Sequence, residues 1–356
     1  MEADPGDLVE VKSERGRPLG LAFFSSTSQI TLRMLGEGPR DERALLSGRL
    51  QAALAYREHL APDGTAYRLV SAEADGLPAL IVDRYADWLV VQTLCQGSDR
   101  RLDVIVELLA EAVQPKGILV RNDAKVRRLE DLAELVEVRM GDVPDVIEIR
   151  EGTITHQVDV RHGQKTGLFL DQRENHLVAG QYARGRALDA FSYTGGFALQ
   201  MARQCESVLA LDGSELAVAA LVNNARRNGL TNVEARTVNV FDELRELEIS
   251  RERFDTIVLD PPAFAKNKAT LAKALGGYKE INLRALKLLR PGGILVTCSC
   301  SYHVDEVLFE DMLLHAANDA GASVVLVEKR LQARDHPVLL GVPETAYLKC
   351  SVLRRL

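Results

Sequence analysis

Apolar and polar positions change rhythm along the chain, and the changes mark its parts. Between residues 7 and 35 short apolar runs are broken by Glu14-Arg15-Gly16-Arg17 and by Ser25 to Ser28, the pattern of three short strands. Gly36 to Glu42 is polar and carries glycine and proline, as a linker does. From Arg43 to His59 apolar residues recur at helical spacing (Leu45, Leu46, Leu50, Leu54). Tyr67 to Val91 then turns strand-like, with turn signals at Asp75-Gly76 and Tyr85-Ala86-Asp87. Leu102 to Val113 reads as an amphipathic helix, Gly117 to Val120 as a strand and Leu129 to Leu135 as a short helix. Gly141 to Gly152, rich in Pro, Asp and Glu, reads as a second boundary.

Beyond that boundary the pattern is βα repetition. Strands are expected at 187–191, 207–211, 233–238, 254–259 and 293–298, and helices near 197–204, 215–228, 271–289 and 304–320. Two last β runs, Ser323 to Val327 and Ala346 to Leu353, are separated by a long loop with no helical pattern. A parallel return needs a helical crossover, so one strand of this pair is expected to run antiparallel. The expected fold class is therefore α/β, a doubly wound Rossmann-like sheet closed by one reversed strand. Three segments precede or compose it: a small β unit at 1–38, an α+β domain at 39–150 and the βα domain at 151–356.

The centre of this last domain is Ala187 to Asp212, ALDAFSYTGGFALQMARQCESVLALD. It reads as strand, glycine turn, helix, and a second strand ending on an acid. Gly195 and Gly196 would let the backbone approach a ligand, and Asp212 is spaced to accept hydrogen bonds from a ribose. The G-x-G-x-x-G cradle that seats a dinucleotide pyrophosphate is absent. S-adenosylmethionine (SAM) carries no phosphate and suits the turn better than a nicotinamide cofactor.

Composition narrows the partners. The 356 residues are 46% hydrophobic and 27% charged with a formal charge of −7, an ordinary globular balance with no global basic field. A nucleic-acid partner would have to be met by local patches, and the densest is Arg121 to Arg128, with Arg121, Lys125, Arg127 and Arg128. It reads equally as a solvated turn or as a contact to RNA phosphates. The acidic N-terminus has no signal-peptide pattern and no apolar run reaches the ~18 residues of a membrane span, so a cytoplasmic location is expected. The cysteines number five, scattered and without metal-ligand spacing; no metal is expected, and a cysteine with a role is expected to be a nucleophile.

Three loops fall at the C-terminal ends of expected parallel strands, where open α/β sheets bind ligands: Ser192 to Gly196, Asp260 to Phe264 and Ser299 to Tyr302. In Asp-Pro-Pro-Ala-Phe, Pro261 and Pro262 stiffen a turn that holds Asp260 and Phe264 at the strand mouth. A carboxylate or carbonyl there can meet an amide-like edge while Phe264 stacks on a base; alternatively Asp260 is only a cap. Cys298 reads as core and Cys300 lies at the mouth, but period-2 alternation puts both on one side and does not choose between them.

These stretches resemble the RlmI-like class I SAM-dependent methyltransferases that make 5-methylcytosine in large-subunit ribosomal RNA. The resemblance rests on HGQKTGLFLDQREN (162–175), FSYTGGFA (191–198), DPPAF (260–264), GGILVTCSCS (292–301) and DHPV with PETAYLK (335–349), and YRLVSAEADGLPALIVDRY (67–85) resembles the family's central domain. It implies a class I methyltransferase fold, SAM as cofactor, large-subunit rRNA or its assembly intermediate as partner, and a small β unit like the second half of a PUA domain. Homodimerisation is left open. By this resemblance Cys300 is the catalytic thiol and Asp260 holds the base. Lys165, Gln172, Arg173, Phe191, Tyr193, Thr194, Gly195, Asp212, Ser214, Asn239, Val240 and Asp260 surround the cofactor. Asn239 stands where the family often has an acid. Other readings kept open are methylation of an exocyclic amine by the Asp-Pro-Pro loop without a cysteine, a non-catalytic SAM- and RNA-binding assembly factor, and a nicotinamide oxidoreductase.

Overall fold

The computed structural model describes residues 3–60, 62–265 and 268–356. The chain forms two compact units. The first comprises Met1–Glu151, His156–Leu170 and Arg334–Thr345, the second Gly152–Thr155, Asp171–Ala333 and Ala346–Leu356. The three-part division expected from the sequence follows pattern along the chain. The compact units are two, and both the 156–170 and 334–345 segments pack with the first.

The first unit opens with an antiparallel three-stranded sheet, Leu8–Lys12, Pro18–Phe24 and Leu32–Gly36, as the alternation between residues 7 and 35 implied. A five-stranded sheet follows: Ala66–Ser71, Leu80–Tyr85, Trp88–Thr93, Gly117–Asn122 and Leu135–Gly141, in sequence order. Helix Glu42–Leu60 buries Leu45, Leu46 and Leu50, and helix Leu102–Val113 buries Ile105 and Leu109, into one core with the sheet's Leu69, Val82 and Val91. Two expectations fail here. No α-helix covers 129–135; a 3-10 turn at Lys125–Glu130 leads into the strand Leu135–Gly141, whose LVEVRMG alternates as a half-exposed strand does. The expected boundary at 141–152 contains the strand Val146–Glu151, whose Ile147 and Ile149 are buried.

The second unit is a seven-stranded sheet with helices on both faces. Its strands are β1 (Arg186–Ala190), β2 (Ser207–Asp212), β3 (Val233–Thr237), β4 (Phe254–Leu259), β5 (Leu289–Ser299), β6 (Val324–Arg330) and β7 (Lys349–Arg355). Their order is 3-2-1-4-5-7-6, with β1 to β5 parallel and β7 antiparallel to both β5 and β6. The helices are α1 (Arg173–Tyr182), α2 (Gly196–Ala202), α3 (Glu215–Arg227), α4 (Val240–Ile249), α5 (Leu271–Leu288) and α6 (Glu306–Ala320). Side chains alternate between two cores. Leu188, Ile257, Leu259 and Leu295 pack with Leu244, Tyr278, Ile281 and Phe309, whereas Ala187, Val258, Val296 and Val352 pack with Ala198, Met201 and Leu221. Every parallel strand consequently ends at the same edge, and the strand order reverses between β1 and β4, the place where such sheets open to a ligand.

Candidate active site

The loop after β1 is the most contorted stretch of the second unit. Phe191, Tyr193 and Gly195 have φ of 69°, 47° and 96°, a left-handed backbone that two of these residue types adopt only under constraint. The constraint is visible. The Phe191 and Ser192 amides both donate to the Leu211 carbonyl, the Ser192 hydroxyl donates to the Asp189 carbonyl at 2.7 Å, and the Tyr193 amide donates to Asp212 Oδ2 at 2.8 Å. The glycines have a different reason from the one their sequence suggested. A Cβ on Gly195 would lie 2.8 Å from Leu221 Cγ, and one on Gly196 would lie 2.3 Å from the His176 ring, so both are required by packing within the protein.

Asp212 ends β2. Its two oxygens accept one backbone N–H each, from Tyr193 and, at 2.8 Å, from Ser214. Each oxygen keeps a second lone pair, so the carboxylate is fixed in place and still able to take the two hydroxyls of a ribose. That donor set fits an adenosine cofactor. Thr194 lies in the same turn, half-buried. Ser214 caps α3 and Asn239 caps α4 by accepting from the Phe241 amide at 3.0 Å; the Val240 side chain is buried in the core.

The loop after β4 is held from the other side of the strand reversal. Gln172 Nε2 donates to Asp260 Oδ1 at 2.8 Å, Asn175 Nδ2 donates to Gln172 Oε1 at 2.7 Å, and Arg330 Nε donates to Asn175 Oδ1 at 2.8 Å. A chain of side chains thus orients the Asp260 carboxylate, and Asn175 and Arg330 are members that sequence reading missed. Arg173 is buried at the start of α1, 3.6 Å from Glu174. Phe264 is held in an aromatic cluster, 4.6 Å from Tyr278 and 5.7 Å from Phe241 by ring centroids, with Phe191 beyond. It is a wall of this region rather than a free ring. Pro261 is buried and Pro262 exposed.

The structure separates the two cysteines that alternation left equivalent. Strand β5 ends at Ser299. Cys298 is fully buried opposite Cys350 across the β5–β7 ladder, and burial together with that facing thiol pushes it well above the ordinary thiol value. Cys300 lies just past the strand, half-buried, its Sγ 3.9 Å from the Pro261 carbonyl. The neighbouring Ser301 is pinned: its Oγ accepts from the Ala265 amide at 3.1 Å and shares a 2.9 Å hydrogen bond with the Tyr278 hydroxyl.

The family model for S-adenosylmethionine-dependent methyltransferases matches residues 121–354, and that for a PUA-like domain matches residues 1–36. The ribosomal RNA large subunit methyltransferase I of Shewanella denitrificans is 41% identical over 358 residues, covering 98% of this chain and 90% of that protein. The enzyme of that name from Pseudoalteromonas atlantica is 39% identical over 359 residues, covering 98% and 91%. The chain belongs to this methyltransferase family. A solved structure from Streptococcus mutans superposes with a TM-score of 0.85 at 20% identity, covering 99% of this chain and 93% of that one, and so shares the fold. The cofactor of the family is S-adenosylmethionine, which displaces the nicotinamide reading.

Site residues expected outside the second unit fare differently. Lys165 is exposed in the first unit, its Nζ 4.7 Å from the Phe169 ring centroid. The basic cluster is not a patch. Arg121 is buried and donates to the Val160 carbonyl at 2.6 Å and to Asp123; Arg127 is buried and donates to the Ala133 carbonyl at 2.8 Å and to Asp99. Their guanidinium groups hold the first unit together and are closed to phosphate. Of the cluster, Lys125 and Arg128 remain exposed, the latter paired with Glu134.

Proposed function

We propose that the protein methylates C5 of a cytosine in large-subunit ribosomal RNA, in the cytoplasm, with Cys300 as the nucleophile. The observation that carries this reading is the half-buried thiol at the mouth of the sheet beside the Asp-Pro-Pro loop, where the other four cysteines are buried. Support for the substrate comes from relatives named as large-subunit rRNA methyltransferases and from the PUA-like domain match.

Cytosine C5 is a weak nucleophile. Addition of the Cys300 thiolate to C6 makes C5 an enamine carbon that can take a methyl group, after which loss of H5 as a proton to water and departure of the thiolate restore the aromatic ring. Asp260, oriented by the hydrogen bond it accepts from Gln172, accepts hydrogen bonds from the N3/N4 edge and stabilises the protonated base. Asp212 would hold the ribose of S-adenosylmethionine, with the Phe191 to Gly195 turn, Ser214 and the Asn239–Val240 backbone around the adenosine. When bound, the cofactor supplies an electrophilic methyl group. Pro261 and Pro262 stiffen the base-binding loop, Phe264 backs it, and exposed Lys125 and Arg128 are the basic residues available to RNA phosphates.

An RNA substrate carrying 5-fluorocytidine lacks the hydrogen that must leave C5. It should accumulate a protein–RNA adduct that survives denaturation, formed by the wild type with SAM present and not by Cys300→Ala. A wild type that methylates unmodified RNA yet traps no adduct would favour methylation of an exocyclic amine, which needs no thiol.

A further inference from the structure

Lys349 is an amine in an unexpected place. It opens β7, opposite Ser299 in the β5–β7 ladder, and is only 7% exposed. Buried lysines need partners, yet its nearest bonds are to neutral groups: Nζ donates to the Ser301 carbonyl at 2.7 Å and to the Tyr347 carbonyl at 2.8 Å. Tyr347 is itself anchored, its hydroxyl donating to Asp171 Oδ2 at 2.7 Å. Two of the amine's three hydrogens are therefore held by backbone carbonyls, one of them on the residue that follows Cys300. Burial lowers the Lys349 amine to about 8, and Cys300, when ionised, and Asp305 act against this drop.

We propose that Lys349 is a positioning residue whose ammonium, clamped by the Ser301 and Tyr347 carbonyls, holds Cys300 as the thiolate. This deepens the reading of Cys300 as the nucleophile and rests on it. The proton balance is simple: the thiol proton passes to solvent or to the amine when that is neutral, and the resulting thiolate–ammonium pair is what the buried charge requires. Other groups at this corner act on the pair, among them Asp260, whose carboxyl sits on the residue before Pro261 and, when ionised, disfavours a thiolate. Asp305 opposes the effect by competing for the ammonium, the Pro261 carbonyl favours the thiol through its 3.9 Å contact, and Tyr278, whose hydroxyl burial pushes upward, stays neutral beside Ser301. The ammonium field has to outweigh a long sulfur contact, the Asp260 carboxyl and the exposed Asp305 carboxylate, and a nearby lysine commonly lowers a thiol by a unit or more.

The test is the pH dependence of iodoacetamide alkylation at Cys300, read by mass analysis of its peptide in the full-length protein, for wild type, Lys349→Gln and Lys349→Met. The wild type should titrate below the ordinary thiol value of about 8.5. Both variants should titrate at least one unit higher, with SAM affinity unchanged and kcat lowered while KM for SAM is not. A wild-type midpoint at or above about 8.5 overturns the proposal even if neither variant folds, and so does an unshifted midpoint in folded variants. If the midpoint shifts as expected but Cys300→Ala keeps full methyl transfer, the thiolate pair stands and the nucleophile reading falls.

Discussion

At the scale of single residues, Asp189 carries a pH dependence that the chemistry of the site does not need. It is fully buried beneath the β1 loop, where Oδ2 accepts from the Ala198 amide at 2.9 Å and Oδ1 has no hydrogen-bond partner among the described residues. Burial, reinforced by the Asp260 charge and opposed by His176 and the Ala198 amide, pushes its carboxyl up to about 7. A carboxyl raised on folding contributes stability that is fully present below its unfolded value and lost as pH rises through about 7. Asp189→Asn should remove that slope and be the more stable protein at pH 8, by a few kcal/mol at most, in urea titrations from pH 4 to 8. Parallel slopes for the two proteins would contradict it. Residues of this kind were hard to read in the sequence. Asp212 was legible because a strand-end acid after a glycine turn has a recognisable spacing. Lys349 and Asn175 close two of the motif stretches, 335–349 and 162–175, but their bonds to Ser301 and Arg330 join segments far apart in the chain, so their roles could not be read there. Arg121 and Arg127 misled because a run of basic residues looks the same whether its side chains face solvent or backbone carbonyls.

At the scale of elements, period and length decided what could be read. The parallel strands and α3, α5 and α6 stand within a few residues of expectation, since each is a strong apolar pattern with a clear stop. Helix α4 was missed although Val240, Leu244 and Leu247 recur at helical spacing, because it is short and follows its strand after a two-residue link. Its start is set by Asn239, so this residue has a structural duty beside its proposed place near the adenine. Asn239→Ala should cost about 1 kcal/mol of stability by loss of the cap, and Asn239→Asp should retain it. Equal denaturation midpoints for all three proteins would remove the cap from the account. The end of β5 is the element that matters most for chemistry. Stopping at Ser299 breaks the alternation that would have sent Cys300 after Cys298 into the core, and the strand terminus is the least legible feature of any strand.

At the scale of the whole molecule, the reversed β7 was legible from the absence of a helix before it, and the strand order 3-2-1-4-5-7-6 gives the loops after β1, β4 and β5 a common edge. The division into compact units was less legible, because residues 156–170 and 334–345 leave the βα domain in sequence and pack with the first unit; nothing in their composition signals it. With a net charge of −7, affinity for RNA depends on local contacts and not on the overall field. The central claim, cytosine methylation through Cys300, is tested most directly by methyl transfer from labelled SAM to ribosomal RNA of a strain lacking this activity, followed by digestion and nucleoside mass analysis, with wild type and Cys300→Ala side by side. Label is expected in 5-methylcytidine with the wild type and none with the variant, at equal SAM affinity. Label in a methylated amine with both proteins, or no transfer from a wild type that binds SAM and RNA, would contradict it.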